Sequence, residues 1–270
     1  MLTVYRKNLR KYLLIGISFP IVIVLFIPLI GSLWPELRNQ MEFFQEFLKN
    51  PIYQVMLGEL VDLSTWPGMY FMYIFMMLEW VMIFATIFIP ARLISSEMDN
   101  NTLDVMLSYP IPRWRYGLEK YSVYLTYNLL YPILILSTTF LANETMLNID
   151  FISAEETIDL VVVGYATIGS WLLFFALGAL SFLCGMIFLE SSKAMAFSGL
   201  VILGQYMMER FGGITESISF LQDYSLFHYL SASAINHSGK LLIGDLIIVA
   251  SVGLAALAAA LYIFQTRELT

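Results

Sequence analysis

The residue with the most chemical potential in this chain is Glu79, which stands inside an apolar run from Pro67 to Ile94. An acid in such surroundings marks a proton site or a translocation path, or else a carboxyl group whose hydrogen bonds are met by a neighbouring helix. Asp245, near the start of the last apolar run, reads as interfacial. Met69, Met72, Met76, Met77 and Met82 crowd the same run as Glu79. Thioethers could carry soft copper, but at helical spacing they read as adaptable packing. His228 and His237 have no cysteine beside them, so no metal site is expected. The lone Cys184 has no disulfide partner in the chain. The one Gly-Lys pair, Gly239-Lys240, has Ala234 where a phosphate-cradling loop needs its first glycine. No catalytic triad or paired-carboxylate motif stands out. The expectation is a protein that is not itself an enzyme, with no cofactor or metal of its own. Any nucleotide that drives it must be hydrolysed on another chain.

Residues 92–120 hold the second informative pattern. Asn101 can cap a helix, with Asp104 three positions on approximating a capping box. Leu103, Met106 and Leu107 then make one apolar face. Pro110 ends the helix, because the residue before proline avoids helical backbone, and Pro112 can open the next. The spacing predicts a short apolar-faced helix between two stiff turns. Such a rod suits docking into a groove of another protein; resting on the bilayer surface is the alternative.

Composition says what must position these residues. Of 270 residues, 59% are hydrophobic and 13% charged, with mean hydropathy +0.75. Soluble domains have about 25% charged residues, and one water-soluble core cannot hide so much apolar surface. A soluble enzyme and a disordered chain are excluded. So is a nucleic-acid binder, since the net charge is −7 and no basic patch is available for phosphates. A membrane crossing takes about 20 apolar residues. Six runs qualify: 12–33, 67–94, 121–141, 160–189, 194–208 and 241–264. The fifth is short and contains Gln205. Residues 1–11 alternate apolar residues with Arg6, Lys7, Arg10 and Lys11, as in a helix lying in the membrane interface. The segment after Glu36, with Phe43, Phe44 and Phe47, reads as an amphipathic helix on the outer leaflet. Residues 209–240 read as an extracellular or re-entrant segment. With the N-terminus inside, ten of the 14 Lys and Arg fall on inner segments, which favours a multi-pass plasma-membrane protein with both termini cytoplasmic. The expected fold is all-α: one membrane domain over 1–270, with six crossings, an N-terminal interfacial helix and a short cytoplasmic helix in 92–120.

The 92–120 segment resembles the signature of ABC type-two permeases, the membrane subunits of ATP-driven exporters. The residues in register are Glu97, Thr102, Leu103, Asp104, Leu107, Ser108, Pro110, Arg113 and Lys120. Asn101 replaces the family's usual glycine, and asparagine also tolerates left-handed backbone. Pro112 is a second departure. Phe264, Arg267, Glu268 and Leu269 resemble the family's aromatic-then-Arg-Asp-Leu ending, with Thr266 and Glu268 departing from it. The likeness spans the chain in layout and about 30 residues in motif. It implies that residues 98–109 form a coupling helix seated in a separate ATPase subunit, and that the turn from Glu190 to Lys193 makes a smaller contact. It further implies two ATPase subunits carrying ATP and Mg, a second permease, and lipid as the remaining partner. Leu103, Met106 and Leu107 would dock, Asn101 and Asp104 would cap the helix with Thr102 beside them in the coupling segment, Pro110 and Pro112 would make the stiff elbow, and Glu97 and Arg113 would make polar contacts to the ATPase or a neighbouring loop. Two other classes stay open: an ATP-independent carrier or channel using Glu79, and a non-transporting subunit that passes motion to an external partner.

Overall fold

The computed structural model describes residues 3–40, 65–103, 111–148, 152–153, 156–188, 190–213 and 216–267. Every regular element among them is helical. The long helices are α1 (Thr3–Asn39), α2 (Trp66–Asp99), α3 (Arg113–Asn148), α4 (Leu160–Ile187) and α5 (Ser191–Gly212). A 3-10 turn (Glu216–Ile218) and three short helices follow: α6 (Phe220–Asp223), α7 (Leu226–Tyr229) and α8 (Ala232–Ser238). The last helix is α9 (Ile243–Thr266). Four helices, α2, α3, α4 and α9, are long and apolar enough to cross a membrane, so the chain has the character of a helical membrane protein. They overlap the second, third, fourth and sixth expected runs. The first and fifth runs fall within α1 and α5. The expected amphipathic helix around Phe43 lies outside the described residues.

Two boundaries differ from the expectation. Residues 1–11 do not form a separate interfacial helix: from Thr3 they belong to α1, which continues without interruption to Asn39. The reason is lateral packing. The face expected to rest on lipid is applied to α3, where the Tyr5 hydroxyl bonds to Thr126 at 2.8 Å and the Tyr127 hydroxyl donates to the Leu9 carbonyl. The loop expected over 92–120 is shorter than the sequence indicated. α2 extends to Asp99 and α3 starts at Arg113, leaving 100–112 as the connection. At 34 and 36 residues, these two helices are about 50 Å long, against roughly 30 Å of hydrocarbon.

Local chemistry fixes the helix starts. Thr65 caps α2, its hydroxyl accepting from the Gly68 N–H at 3.3 Å with Pro67 in the first turn. The Asp159 carboxylate caps α4 through the Val161 N–H at 2.8 Å.

Contacts along the bundle give its direction. Tyr5 meets Thr126 and Gly31 lies against Met146, so α1 and α3 run parallel through the same depth. Trp34 stacks obliquely on Trp66 at 5.7 Å, joining the end of α1 to the start of α2. Thr3 and Arg267 therefore lie at the same end of the bundle. α4 is the central helix, packed against α2, α3, α5 and α9. Small residues permit the close approach. A Cβ on Gly185 would stand 2.5 Å from the Ala91 carbonyl oxygen of α2, and one on Gly253 would stand 2.9 Å from Ala176 Cα. Gly185→Val must push α2 and α4 apart, because the obstacle is backbone and not a movable side chain. We expect it to abolish the monodisperse peak of the detergent-solubilised protein in size-exclusion chromatography.

Many large apolar side chains lie on the surface. Leu14 is 84% exposed, and Leu200 and Ile243 are each 72% exposed. Contiguous apolar surface of this kind is a liability in water and the normal condition in lipid.

The 216–240 segment folds back onto the bundle. Leu226, Phe227, Leu230, Ala232 and Ile235 belong to its buried core, with Ile235 and Leu230 against Gly169 of α4. Gln205, the residue that weakened the fifth run in sequence, anchors the return: its carbonyl accepts from Ser225 Oγ at 2.9 Å and its side chain from the Leu226 N–H at 3.2 Å.

Candidate coupling site

The last turn of α2 is the centre of a polar knot at the Thr3–Arg267 end. Glu97 is 7% exposed and both its oxygens are used. Oε2 accepts from the Tyr116 hydroxyl at 2.5 Å, and Oε1 pairs with Lys120 Nζ at 2.5 Å. Lys120 is 0% exposed. An ammonium has three protons to place, and the other two go to the Leu93 carbonyl at 3.0 Å and Asn8 Oδ1 at 3.1 Å. Asn8 is held in turn by its amide, which donates to the Val4 carbonyl at 2.8 Å. One buried ion pair thus joins α1, α2 and α3. Beside it, Glu119 Oε2 accepts from the Tyr5 N–H at 3.4 Å and Oε1 from Arg115 at 3.3 Å.

Two further bonds tie α2 to α5. Ser95 donates to the Ser191 hydroxyl at 3.2 Å, and the Asp99 carboxylate accepts from the Ser191 N–H at 3.0 Å. An acid at a helix start satisfies a free N–H and meets the positive end of the helix dipole. α5 has no capping bond from its own N-cap, Glu190, so Asp99 supplies it from another helix.

A third set of bonds uses the end of the chain. Arg267 donates from Nη1 to the carbonyls of Met186 and Ile187, at 2.7 and 2.9 Å, which are acceptors left open at the end of α4. Its own carbonyl accepts from Arg113 Nη1 at 2.6 Å. The Trp114 N–H, free at the start of α3, donates to Gln265 at 3.1 Å. Arg113 and Arg267, 154 positions apart, form one clasp over α3, α4 and α9.

The connection itself begins with a defined turn. Asn101 has φ +52° and is the only non-glycine residue with positive φ among the described residues. The Asn101 N–H donates to Met98 and the Thr102 N–H to Glu97, both at 2.9 Å. This pair of bonds closes a helix through a left-handed residue. Asn101 therefore ends α2. Thr102 comes between it and Leu103, the next helical residue, which is 3% exposed. Asp104, Met106, Leu107 and Pro110 lie outside the described residues.

Of the sequence-derived residues, the structure brings together Glu97, Lys120, Asn101, Thr102 and Leu103, and separately Arg113 with Arg267. It bonds Glu97 and Arg113 to neighbouring helices of their own chain, the second of the two contacts expected for them being a neighbouring segment and the first the ATPase. A carboxylate with both oxygens engaged at 7% exposure has little left to offer another protein. Sequence reading missed Asn8, Asp99, Tyr116 and Ser191. Tyr116 was accessible in principle, since it stands four positions before Lys120 on one helix face. The other three have no local signal.

Glu79 lies elsewhere. Its Oε2 pairs with Arg210 Nη2 at 3.0 Å, and the guanidinium sits 5.1 Å from the Tyr206 ring centroid. Glu209 pairs with His228 at 3.3 Å nearby. Glu79 is thus a paired charge between α2 and the end of α5. Met69 and Met82 are core residues. Among the described residues no group of three or more His, Cys, Asp or Glu side chains is placed to hold a metal ion.

No family model matches the chain, and neither a curated protein nor a solved structure matches it.

Proposed function

We propose that the chain is the membrane subunit of an ATP-driven exporter of the ABC type-two class, with six crossings in the plasma membrane and both termini cytoplasmic. In this reading the first and fifth crossings lie in α1 and α5. ATP and Mg are bound by a separate pair of ATPase subunits, and a second permease completes the pathway. The observation that carries the reading is the meeting of the motif's two ends. Asn101 adopts the left-handed backbone for which the family uses glycine, and Glu97 and Lys120, 23 positions apart, close on each other as a buried pair.

The mechanism follows from where the connection 100–112 is attached. Its first end is the last turn of α2, bonded to α1, α3 and α5. Its second end is Arg113, bonded to the end of α9 and, through Arg267, to α4. A push received on Leu103, Met106 and Leu107 would reach α1 to α5 and α9 through hydrogen bonds near their ends. Rigid helices then tilt as a set, opening the pathway to one side or the other. The partner shifts that equilibrium only by binding one arrangement better than the other.

The test is Leu107→Asp in the purified complex. A carboxylate on the docking face should leave the protein in the membrane but reduce substrate-stimulated ATP hydrolysis to the unstimulated level. Normal hydrolysis and transport in that variant would overturn the docking assignment. A carrier mechanism through Glu79 has less support, because its carboxylate is already held by Arg210.

A further inference from the structure

The outward face of α1 changes character along its length. At its start, Arg6, Arg10 and Lys11 are exposed, and no ion pair involving them is among those of the described residues. Immediately beyond, the exposed residues are aliphatic: Leu14 at 84%, Ile21 at 48% and Leu25 at 64%. Lys11, Leu14, Ile21 and Leu25 recur at three-, seven- and four-residue intervals, so cation and aliphatics share one stripe of one continuous helix. The ten residues from Lys11 to Ile21 rise about 15 Å, half of the roughly 30 Å hydrocarbon thickness.

We propose that this stripe is a binding site for an anionic phospholipid, with the phosphate on Arg6, Arg10 and Lys11 and an acyl chain along Leu14, Ile21 and Leu25. The match of charge at one end and of monolayer length at the other argues for a lipid over a soluble anion or a peptide. α1 runs at the depth of α3, one of the four membrane-crossing helices, so its outward face meets lipid whatever the transported cargo. The proposal rests on that placement and not on the exporter reading, and each can fail without the other.

The site also bears on the knot. The opposite face of the same turns supplies Asn8 to Lys120 and the Tyr5 N–H to Glu119. A headgroup clamping the cationic turns holds those donors and acceptors against α3. Anionic lipid should therefore stabilise the α1–α3 contact as well as bind.

The experiment uses the full chain purified from mixed phosphatidylcholine–phosphatidylglycerol membranes, with retained lipid counted by native mass spectrometry and stability read as a thermal midpoint. Wild type should retain phosphatidylglycerol over phosphatidylcholine and gain midpoint from it, as should the Lys240→Gln control at the other end of the bundle. The triple variant Arg6→Gln, Arg10→Gln, Lys11→Gln should lose at least about tenfold in that preference. Glycerol phosphate, the headgroup without its chains, should give no midpoint shift. Equal retention of the two lipids by wild type would overturn the proposal, and this arm decides even where the triple variant does not fold. An unchanged preference in a folded triple variant would also overturn it. So would a triple variant that loses self-association and keeps its lipid, which would assign the face to a second copy.

Discussion

Lys120→Met should be among the most damaging single substitutions in the chain, costing about 3–5 kcal/mol of stability. The physical reason is what remains. Methionine fills most of the lysine volume, so packing is nearly kept. Glu97 stays 7% exposed with its Oε1 partner gone, and the acceptors on Asn8 and Leu93 lose their donor. An uncompensated buried carboxylate is far costlier than a missing contact. Replacing both partners, as Glu97→Gln with Lys120→Met, removes the charge together with its counter-charge. Most of the loss should then return, since paired removal of a buried ion pair is often close to neutral. The readout is the thermal midpoint of the solubilised protein for wild type, both single variants and the double variant. A strongly positive coupling is the expected result. Additive losses would mean that the two side chains are not interacting in the membrane.

The second large effect concerns Glu79. Arg210→Met strands the carboxylate between α2 and the end of α5, and Glu79→Leu strands the guanidinium. Each should cost about 2–4 kcal/mol, somewhat less than the Lys120 change because Arg210 is 24% exposed at its side chain and retains access to solvent. Glu79→Leu with Arg210→Met should regain stability. The same variants separate two functional readings. A structural pair predicts that the double variant keeps the chain's activity, whereas a proton- or ion-carrying Glu79 predicts that every variant lacking the carboxylate is inactive. Transport or partner-stimulated hydrolysis, measured on the double variant alongside its midpoint, decides between them.

Both predictions turn on residues that look alike in the sequence, an acid in or beside an apolar run. What separates them is the partner, and partners are set by packing. Glu97 finds Lys120 across a helix–link–helix connection, and that much is foreshadowed by a motif with both residues in it. Glu79 finds Arg210 from 131 positions away, at the end of the helix that holds the short fifth run. Nothing local connects them.

Composition and periodicity were enough for an all-helical chain of membrane character and for its four helices long and apolar enough to cross a membrane, because lipid leaves the backbone no choice but to bond within each segment. The turn at Asn101 was legible for a similar reason: few side chains tolerate positive φ. The sequence did not reveal where helices end beyond the apolar runs, since α2 continues through polar residues such as Glu97 and Asp99 that are satisfied by groups on α3 and α5. It could not reveal that Asp99 caps α5, that Arg267 closes the end of α4, or that the first turns of α1 lean on α3 in place of the lipid surface. Hydrophobicity is a property each residue carries with it, so a chain can announce its solvent one segment at a time. A hydrogen bond or an ion pair needs a second group at about 3 Å, and only the folded bundle decides which one arrives.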